Sequence, residues 1–132
     1  MKKLILLCLT AAVLTGCATS PTSVAQADAP VYATPAERAY QMGLEYNMIL
    51  TCRAELGDAR VAQYAQSAEL LLTSYPQSWR GKAQSAFQQG LATGPARFHR
   101  IPCEGIKSLI IEQMACNDAE TRKNLKAAAR LN

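Results

Sequence analysis

Cysteine is the residue type with the most chemistry to offer in this 132-residue sequence, which contains five of them. A thiol can form a disulfide, bind a metal or accept a covalent modification. A tetrahedral metal site is hard to assemble here, because the chain has no C-x-x-C motif and a single histidine. The sequence therefore predicts no metal site and no cofactor. The five thiols lie at Cys8, Cys17, Cys52, Cys103 and Cys116.

Catalytic groups are scarce elsewhere in the chain. The histidine, His99, lies in the segment RFHR between Arg97 and Arg100, and these cations disfavour its protonated form. It is interpreted either as a solvated loop histidine or as part of an anion-binding loop. No G-x-S-x-G, H-E-x-x-H or P-loop motif is present. We therefore expect the protein not to be an enzyme.

The first residues follow the pattern of an exported protein. Lys2 and Lys3 form a positive region, and an apolar segment of about 11 residues, LILLCLTAAVL, occupies residues 4–14. This length suits a signal peptide and is short for a membrane span, which needs about 20 residues. The segment ends in LTGC at residues 14–17, whereas an ordinary secretory signal ends in a small-x-small site.

LTGC resembles the lipobox of bacterial lipoproteins. In that family the cysteine thiol receives a diacylglyceryl group, signal peptidase II cleaves before the cysteine, and the new amino group is often acylated, for example with palmitate. The resemblance implies cleavage between Gly16 and Cys17 and a membrane anchor through lipid on Cys17. Because Ala18 follows rather than aspartate, the family's sorting habit implies the outer membrane. A plain signal peptide with a chance cysteine is the alternative.

Three segments follow from this interpretation. Residues 1–16 are expected to be the signal peptide, 17–34 a lipidated N-terminus with a flexible linker, and 35–132 a helical domain facing the periplasm. The linker is rich in small polar residues and proline. The formal charge of +4 falls to +2 without Lys2 and Lys3. This charge is too small to indicate nucleic-acid binding.

Apolar periodicity and capping signals predict helices throughout residues 35–132. The helix at 59–74 has the clearest period, and its predicted apolar face consists of Val61, Tyr64, Ala65, Ala68, Leu71, Leu72 and Tyr75. Thr34 to Glu37 and Asn117 to Glu120 each spell a capping box, Asp58 is a potential cap, and Gly94-Pro95 is expected to break the chain. Gly90 indicates either close approach of another helix or a tolerated glycine. The predicted helices span residues 35–55, 59–74, 78–92, 102–116 and 118–130, with a loop at 96–101. The expected fold is all-α, a small antiparallel four- to five-helix bundle stapled by one disulfide.

Bundle geometry selects the cysteine pair. Cys103 and Cys116 would lie about 20 Å apart on one helix, and a disulfide requires Cα atoms within about 7 Å. In an up-down-up-down bundle, Cys52 and Cys103 lie at the same end. We therefore predict a Cys52–Cys103 disulfide, which closes a loop of about 50 residues and stabilises the fold by roughly 4 kcal/mol. Cys116 would be a buried small hydrophobic residue or an intermolecular partner.

One charge asymmetry suggests a binding surface. The segment 79–107 is mostly basic, and a basic face there could contact lipopolysaccharide phosphates, peptidoglycan or an acidic partner; a mixed solvated surface is the alternative. The candidate basic residues are Arg80, Lys82, Arg97, Arg100 and Lys107.

The function expected from these features is that of a non-enzymatic binding or assembly factor of the cell envelope. The chain resembles the pilotin lipoproteins of type II secretion in its lipobox, its length and the placement of Cys52 and Cys103. That resemblance implies a secretin as the partner. Two other hypotheses stay open: an immunity or inhibitor protein against a periplasmic toxin or lytic enzyme, and a structural lipoprotein that binds the cell wall.

Overall fold

Five α-helices and one short 3-10 turn make up the described part of the chain. The computed structural model describes the backbone of residues 34–98 and 103–132 and the side chains of residues 34–94 and 103–132. These ranges contain no strand, so the all-α prediction is confirmed. The predictions for the signal peptide, Cys17 and the linker lie outside the described residues, as do His99 and Arg100. The helices are α1 (Pro35–Thr51), α2 (Arg53–Leu56), α3 (Asp58–Ser74), α4 (Gln77–Phe98) and α5 (Ile106–Arg130), with the 3-10 turn at Cys103–Gly105.

The capping box at the start of α1 is confirmed. Thr34 Oγ1 accepts a hydrogen bond from the Glu37 amide at 3.2 Å, and Glu37 Oε2 accepts one from the Thr34 amide at 3.3 Å. The helix predicted at 35–55 is interrupted at Cys52, whose backbone leaves the helical region (φ −97°, ψ 18°). α2 then adds a single turn, and Gly57 follows it with φ +86°, which glycine adopts without a Cβ clash.

α3 begins one residue before its predicted start and ends where predicted, ahead of Pro76. Its N-cap is Gly57, so the prediction that Asp58 caps this helix is wrong. The Asp58 carboxylate instead accepts a hydrogen bond from Arg53 Nε at 2.6 Å. The face predicted from the apolar period is the buried one. Its buried residues are Val61, Tyr64, Ala68, Leu71, Leu72 and Tyr75, and Ala65 is half-buried.

α4 continues through Gly94 and Pro95 to Phe98, so the predicted break and the start of the predicted loop are wrong. Proline has no N–H to donate to the carbonyl four residues earlier, which is that of Leu91. In this fold the Leu91 carbonyl oxygen accepts a hydrogen bond from Asn47 Nδ2 at 3.0 Å. A side chain of α1 thus replaces the donor that proline lacks, and the helix continues.

α5 is one helix of 25 residues, so the predicted boundary near residue 117 is also wrong. Asn117 and Glu120 were expected to form a capping box, but Asn117 is completely buried within the helix. Its side chain accepts a hydrogen bond from Arg38 of α1. The polar residues that imitate a helix start are therefore partners of another helix.

The four long helices alternate in direction, as expected for an up-down-up-down bundle. Ser67 and Ser74 of α3 bond to Asp118 and Asn124 of α5, respectively, so these two helices run parallel. α1 and α4 also run parallel, because residues of α1 meet residues of α4 in the same order. The start of α1 lies with the end of α3 and the start of α4, and we call this the proximal end. The residues Ala33–Asn132 form a compact unit with its own hydrophobic core.

The predicted disulfide is confirmed at the opposite, distal end of the bundle. Cys52 and Cys103 are bonded with their Cα atoms 5.5 Å apart, across a sequence separation of 51. Cys52 is buried at the end of α1, and Cys103 begins the 3-10 turn before α5. Cys116 is buried on α5, as expected.

Candidate functional site

A cluster of ionisable and polar side chains is buried where α1, α3 and α5 meet. Its centre is Arg38 of α1, which is 4% exposed, and it includes Glu45 of the same helix, also 4% exposed. Tyr64 of α3 and Asn117 of α5 are fully buried beside them. We call this group, together with Glu120 of α5, the Arg38 cluster.

The Arg38 guanidinium connects two helices. It donates to Asn117 Oδ1 at 2.5 Å and to Gln113 Oε1 at 3.4 Å. It also lies 3.8 Å from the Glu45 carboxylate and 3.7 Å from that of Glu120. A buried charge is tolerated only when it is paired and hydrogen-bonded in this way.

Two tyrosine hydroxyls complete the polar contacts. Tyr64 donates to Glu45 Oε2 at 2.8 Å, and Tyr75, at the end of α3, donates to Glu120 Oε1 at 2.9 Å. Tyr64 lies on α3, and Tyr75 directly follows that helix. Glu45 contacts Tyr64 and Arg38, and Glu120 contacts Tyr75 and Arg38. Each carboxylate therefore links this part of the chain to α1. The cluster therefore ties three helices together at and near the proximal end.

Burial governs the ionisation of these groups. Desolvation raises the pKa of the Glu45 carboxyl above 4.5, although Arg38, Tyr64 and Gln41 each act in the opposite direction. Burial raises the pKa of the Tyr64 hydroxyl well above 10.0, and the neighbouring Glu45 charge adds to that increase. The pKa of Tyr75 is raised by burial and by Glu120. Both hydroxyls therefore remain protonated donors at neutral pH.

The cluster links helices of the bundle, and its central groups are closed to reactants. A carboxyl with a raised pKa beside a cation is a pattern found in active sites. Here, however, Arg38, Glu45 and Tyr64 have almost no exposed surface, so a substrate in solution cannot contact them. Within the described ranges, no three His, Cys, Asp or Glu side chains are grouped so that they could hold a metal ion.

The contact between α1 and α4 is made by glycines. A Cβ atom at Gly90 would overlap the Tyr40 carbonyl oxygen, and one at Gly43 would overlap the Phe87 carbonyl oxygen. The interpretation of Gly90 as a point of close approach is therefore confirmed. A Cβ atom at Gly94 would likewise overlap the Asn47 side chain. The roles of Gly43 and Gly94 were not predicted, because periodicity in one helix does not identify the residue opposite it.

The predicted basic residues are dispersed. Arg80, near the start of α4, donates from Nε to the Tyr75 carbonyl at 2.8 Å, and Lys82 Nζ lies 5.0 Å from the centre of the Trp79 ring. Lys107 lies near the distal end, where it lines a concavity beside the disulfide with two glutamates. The side chain of Arg97 and the whole of Arg100 lie outside the described part. Of the predicted basic residues whose side chains are described, Arg80 and Lys82 lie at the proximal end and Lys107 lies at the distal end.

A different group of cations shares one surface. Arg122, Lys123, Lys126 and Arg130 of α5 line a shallow, open concavity with Ala119 and Ala127. Their spacing of three, four and seven residues is a helical signal. The sequence interpretation missed it because it assigned this segment to a short, polar final helix.

The exposed surface also carries several large apolar side chains. They belong to α3 and α5 and to the residue that follows α5: Leu70, Ile111, Leu125 and Leu131. None of the helices in residues 34–98 or 103–132 is long and apolar enough to cross a bilayer. No protein-family model, curated protein or solved structure matches the chain.

Proposed function

We propose that the protein is a bacterial envelope lipoprotein anchored in the outer membrane through lipid on Cys17, with residues 35–132 facing the periplasm. The observation that carries the proposal is the combination of LTGC, after an export-type segment, with a domain closed by the Cys52–Cys103 disulfide. Structural disulfides persist in oxidising compartments, which include the bacterial periplasm. The N-terminal pattern and the disulfide thus both support export from the cytoplasm.

The domain acts, in this proposal, as a non-enzymatic binding or assembly factor. Glu45 and Tyr64, whose pKa values are raised, are sealed inside the bundle, where they hold helices together. Two exposed apolar side chains are candidate contact points for a partner: Ile111 is 60% exposed on α5, and Leu70 is 52% exposed on α3. Large apolar side chains of this kind suit contact with a partner protein. A pilotin-like role, with a secretin as the partner, is the specific form we favour.

The anchor is tested by mass spectrometry of the N-terminal peptide of the protein purified from membranes. We expect cleavage before Cys17, a diacylglyceryl thioether on its sulfur and an acylated amino group. Cys17→Ala should abolish lipid labelling and leave an uncleaved precursor. A disulfide at Cys17 in place of the thioether, or normal processing of the alanine variant, would contradict the assignment.

The partner is tested by a photo-crosslinking amino acid placed at Ile111 in cells. The matched control position is Gln84, which is exposed on α4. A secretin crosslinked at Ile111 and not at Gln84 supports the pilotin-like role, whereas a toxin or lytic enzyme would establish the immunity hypothesis instead. Salt-sensitive co-sedimentation with peptidoglycan, without a protein adduct, would favour the cell-wall hypothesis. If Ile111 gave no more adducts than Gln84, the proposed contact surface would be refuted.

A further inference from the structure

The C-terminal half of α5 carries a cationic surface that the proposed partner contact does not use. Arg122, Lys126 and Arg130 follow one another at intervals of four residues, and Lys123 lies beside them. All four side chains are exposed, and all line one shallow concavity. We call them the α5 basic face.

The carboxylates of this half of α5 are engaged in the bundle. Asp118 accepts a hydrogen bond from Ser67 of α3 at 3.2 Å. Glu120 accepts one from Tyr75 at 2.9 Å and pairs with Arg38. No acidic residue follows Glu120 in the sequence. Asp118 is exposed one helical turn before Arg122, but no carboxylate lines the concavity that the four cations share.

The last turns of α5 extend past the helices that accompany it. Asn124 Nδ2 donates to Ser74 Oγ at 2.9 Å, and Ser74 is the last residue of α3. Every residue from 125 to 132 is exposed. This extension is at the proximal end of the bundle, where α1 begins at Pro35.

The chain also enters the domain at that end. Only 17 residues separate Cys17 from Pro35, and a segment of that length reaches at most about 55–60 Å. The inference rests on the proposed lipid anchor in one respect: the lipid on Cys17 would keep the proximal end within this distance of a bilayer. A tether of this kind raises the local concentration of the domain near the bilayer, which favours a second, weaker contact with the lipid.

We propose that the α5 basic face docks against the headgroups of anionic phospholipids in that bilayer. Each Lys or Arg close to an anionic membrane strengthens binding by about fivefold. Screening limits this attraction to about 8–10 Å at physiological salt, so the cations must lie at the surface of the molecule, as these do. The contact would orient the tethered bundle with its proximal end toward the lipid and its distal end away from it.

The experiment is flotation of the purified domain, residues 33–132, with lipid vesicles. The domain is a compact unit with its own core, and it lacks Cys17, so the result does not depend on lipidation. The vesicles contain phosphatidylcholine alone or mixed with phosphatidylglycerol, at low and high salt. We expect binding only to the mixed vesicles and release at high salt. The variant R122Q/K123Q/K126Q/R130Q should bind more than tenfold less tightly.

The matched control removes three cations at or near the distal end, as R53Q/R60Q/K107Q, and is compared with R122Q/K126Q/R130Q, which has the same change in net charge. The control should keep most of the binding, while circular dichroism confirms that both variants fold. Equal loss of vesicle binding in the two variants would show that net charge alone causes the effect, and would overturn the proposal. Absence of binding to anionic vesicles would also overturn it. The domain could instead associate with itself, show no vesicle binding, and lose this self-association only in the α5 variant. That result would assign the α5 basic face to contact with a second copy and would overturn the proposal. If Cys17 proved unlipidated while vesicle binding remained, the anchor alone would be refuted.

Discussion

Helix α1 is held on two sides by opposite means. Toward α4 it presents Gly43, and the two backbones approach so closely that a single added carbon would overlap a carbonyl oxygen. Toward α3 and α5 it presents Arg38 and Glu45, which are buried and satisfied by hydrogen bonds and ion pairs. The first contact depends on the absence of side chains, and the second depends on particular side-chain atoms.

The difference determines how each contact fails. Backbone contacts of this kind stabilise by dispersion and tolerate no increase in volume. A buried ionic cluster adds little net stability over an apolar core, but removal of one partner leaves an uncompensated charge. The glycine contact should therefore be sensitive to enlargement, and the Arg38 cluster to deletion.

The largest effect should follow Arg38→Ala. This change removes the cation that contacts Glu45, Asn117 and Glu120, and removal of one member of a buried pair costs about 3–5 kcal/mol. Urea unfolding followed by circular dichroism measures it. Arg53→Ala breaks only an exposed ion pair and should leave the free energy of unfolding nearly unchanged. Similar values for the two variants would show that burial does not distinguish these arginines.

Gly90→Ala should destabilise the protein by about 1–3 kcal/mol, because its methyl group would overlap the Tyr40 backbone. The control lies on the same helix. Gly81 has open space around it, so Gly81→Ala should stabilise by about 0.4–1 kcal/mol through the loss of unfolded-state entropy. Thermal unfolding of both variants gives the sign. Stabilisation by both substitutions would mean that α1 and α4 are not in close contact at Gly90.

Asn47→Ala should cost about 1–2 kcal/mol, because the Leu91 carbonyl loses the donor that replaces the missing N–H of Pro95. In a Pro95→Ala background the cost should fall, since an alanine at that position has a backbone N–H that can donate to the Leu91 carbonyl. A double-mutant cycle by urea unfolding measures this coupling. Additive effects would show that Asn47 does not compensate for the proline.

The smallest effect concerns pH. Because the pKa of Glu45 is raised on folding, the folded state binds more protons than the unfolded state between pH 4.5 and that raised value. Stability should therefore decrease as pH rises through this window. Glu45→Gln should flatten that decrease in urea unfolding at a series of pH values. Glu69→Gln, at an exposed site on α3, should leave the slope unchanged; an unaltered slope in Glu45→Gln would count against the desolvation of this carboxyl.

The two errors in the extent of α4 and α5 share one physical cause. Pro95 and Asn117 were interpreted by their local preferences, which are to break a helix and to cap one. In the fold, Asn47 supplies the hydrogen bond that Pro95 cannot, and Arg38 engages the amide of Asn117. Local propensity is overridden where another helix provides the partner, and a single sequence does not reveal that partner.

The α5 basic face and the Arg38 cluster also differ in whether the sequence alone could have predicted them. The α5 basic face has a helical spacing that could have been recognised from the sequence, because the predicted helix at 118–130 contains all four of its residues. The Arg38 cluster could not, because its members are separated by up to 82 residues and the local pattern of Asn117 and Glu120 imitates a helix start. The predicted basic residues were close in sequence, yet Arg80 and Lys107 lie near opposite ends of the bundle.

The sequence by itself determined the helical class, the start of α1, the buried face of α3 and the Cys52–Cys103 disulfide. Each follows from local periodicity, a capping motif or the alternation of helix directions along a short chain. Only the tertiary structure decided that α4 passes through Pro95 and that α5 is continuous. It also decided that Gly43 and Gly90 lie at one crossing and that Arg38 is buried among carboxylates. These features depend on atoms that packing brings together from distant positions, and their energies exceed the local preferences that oppose them.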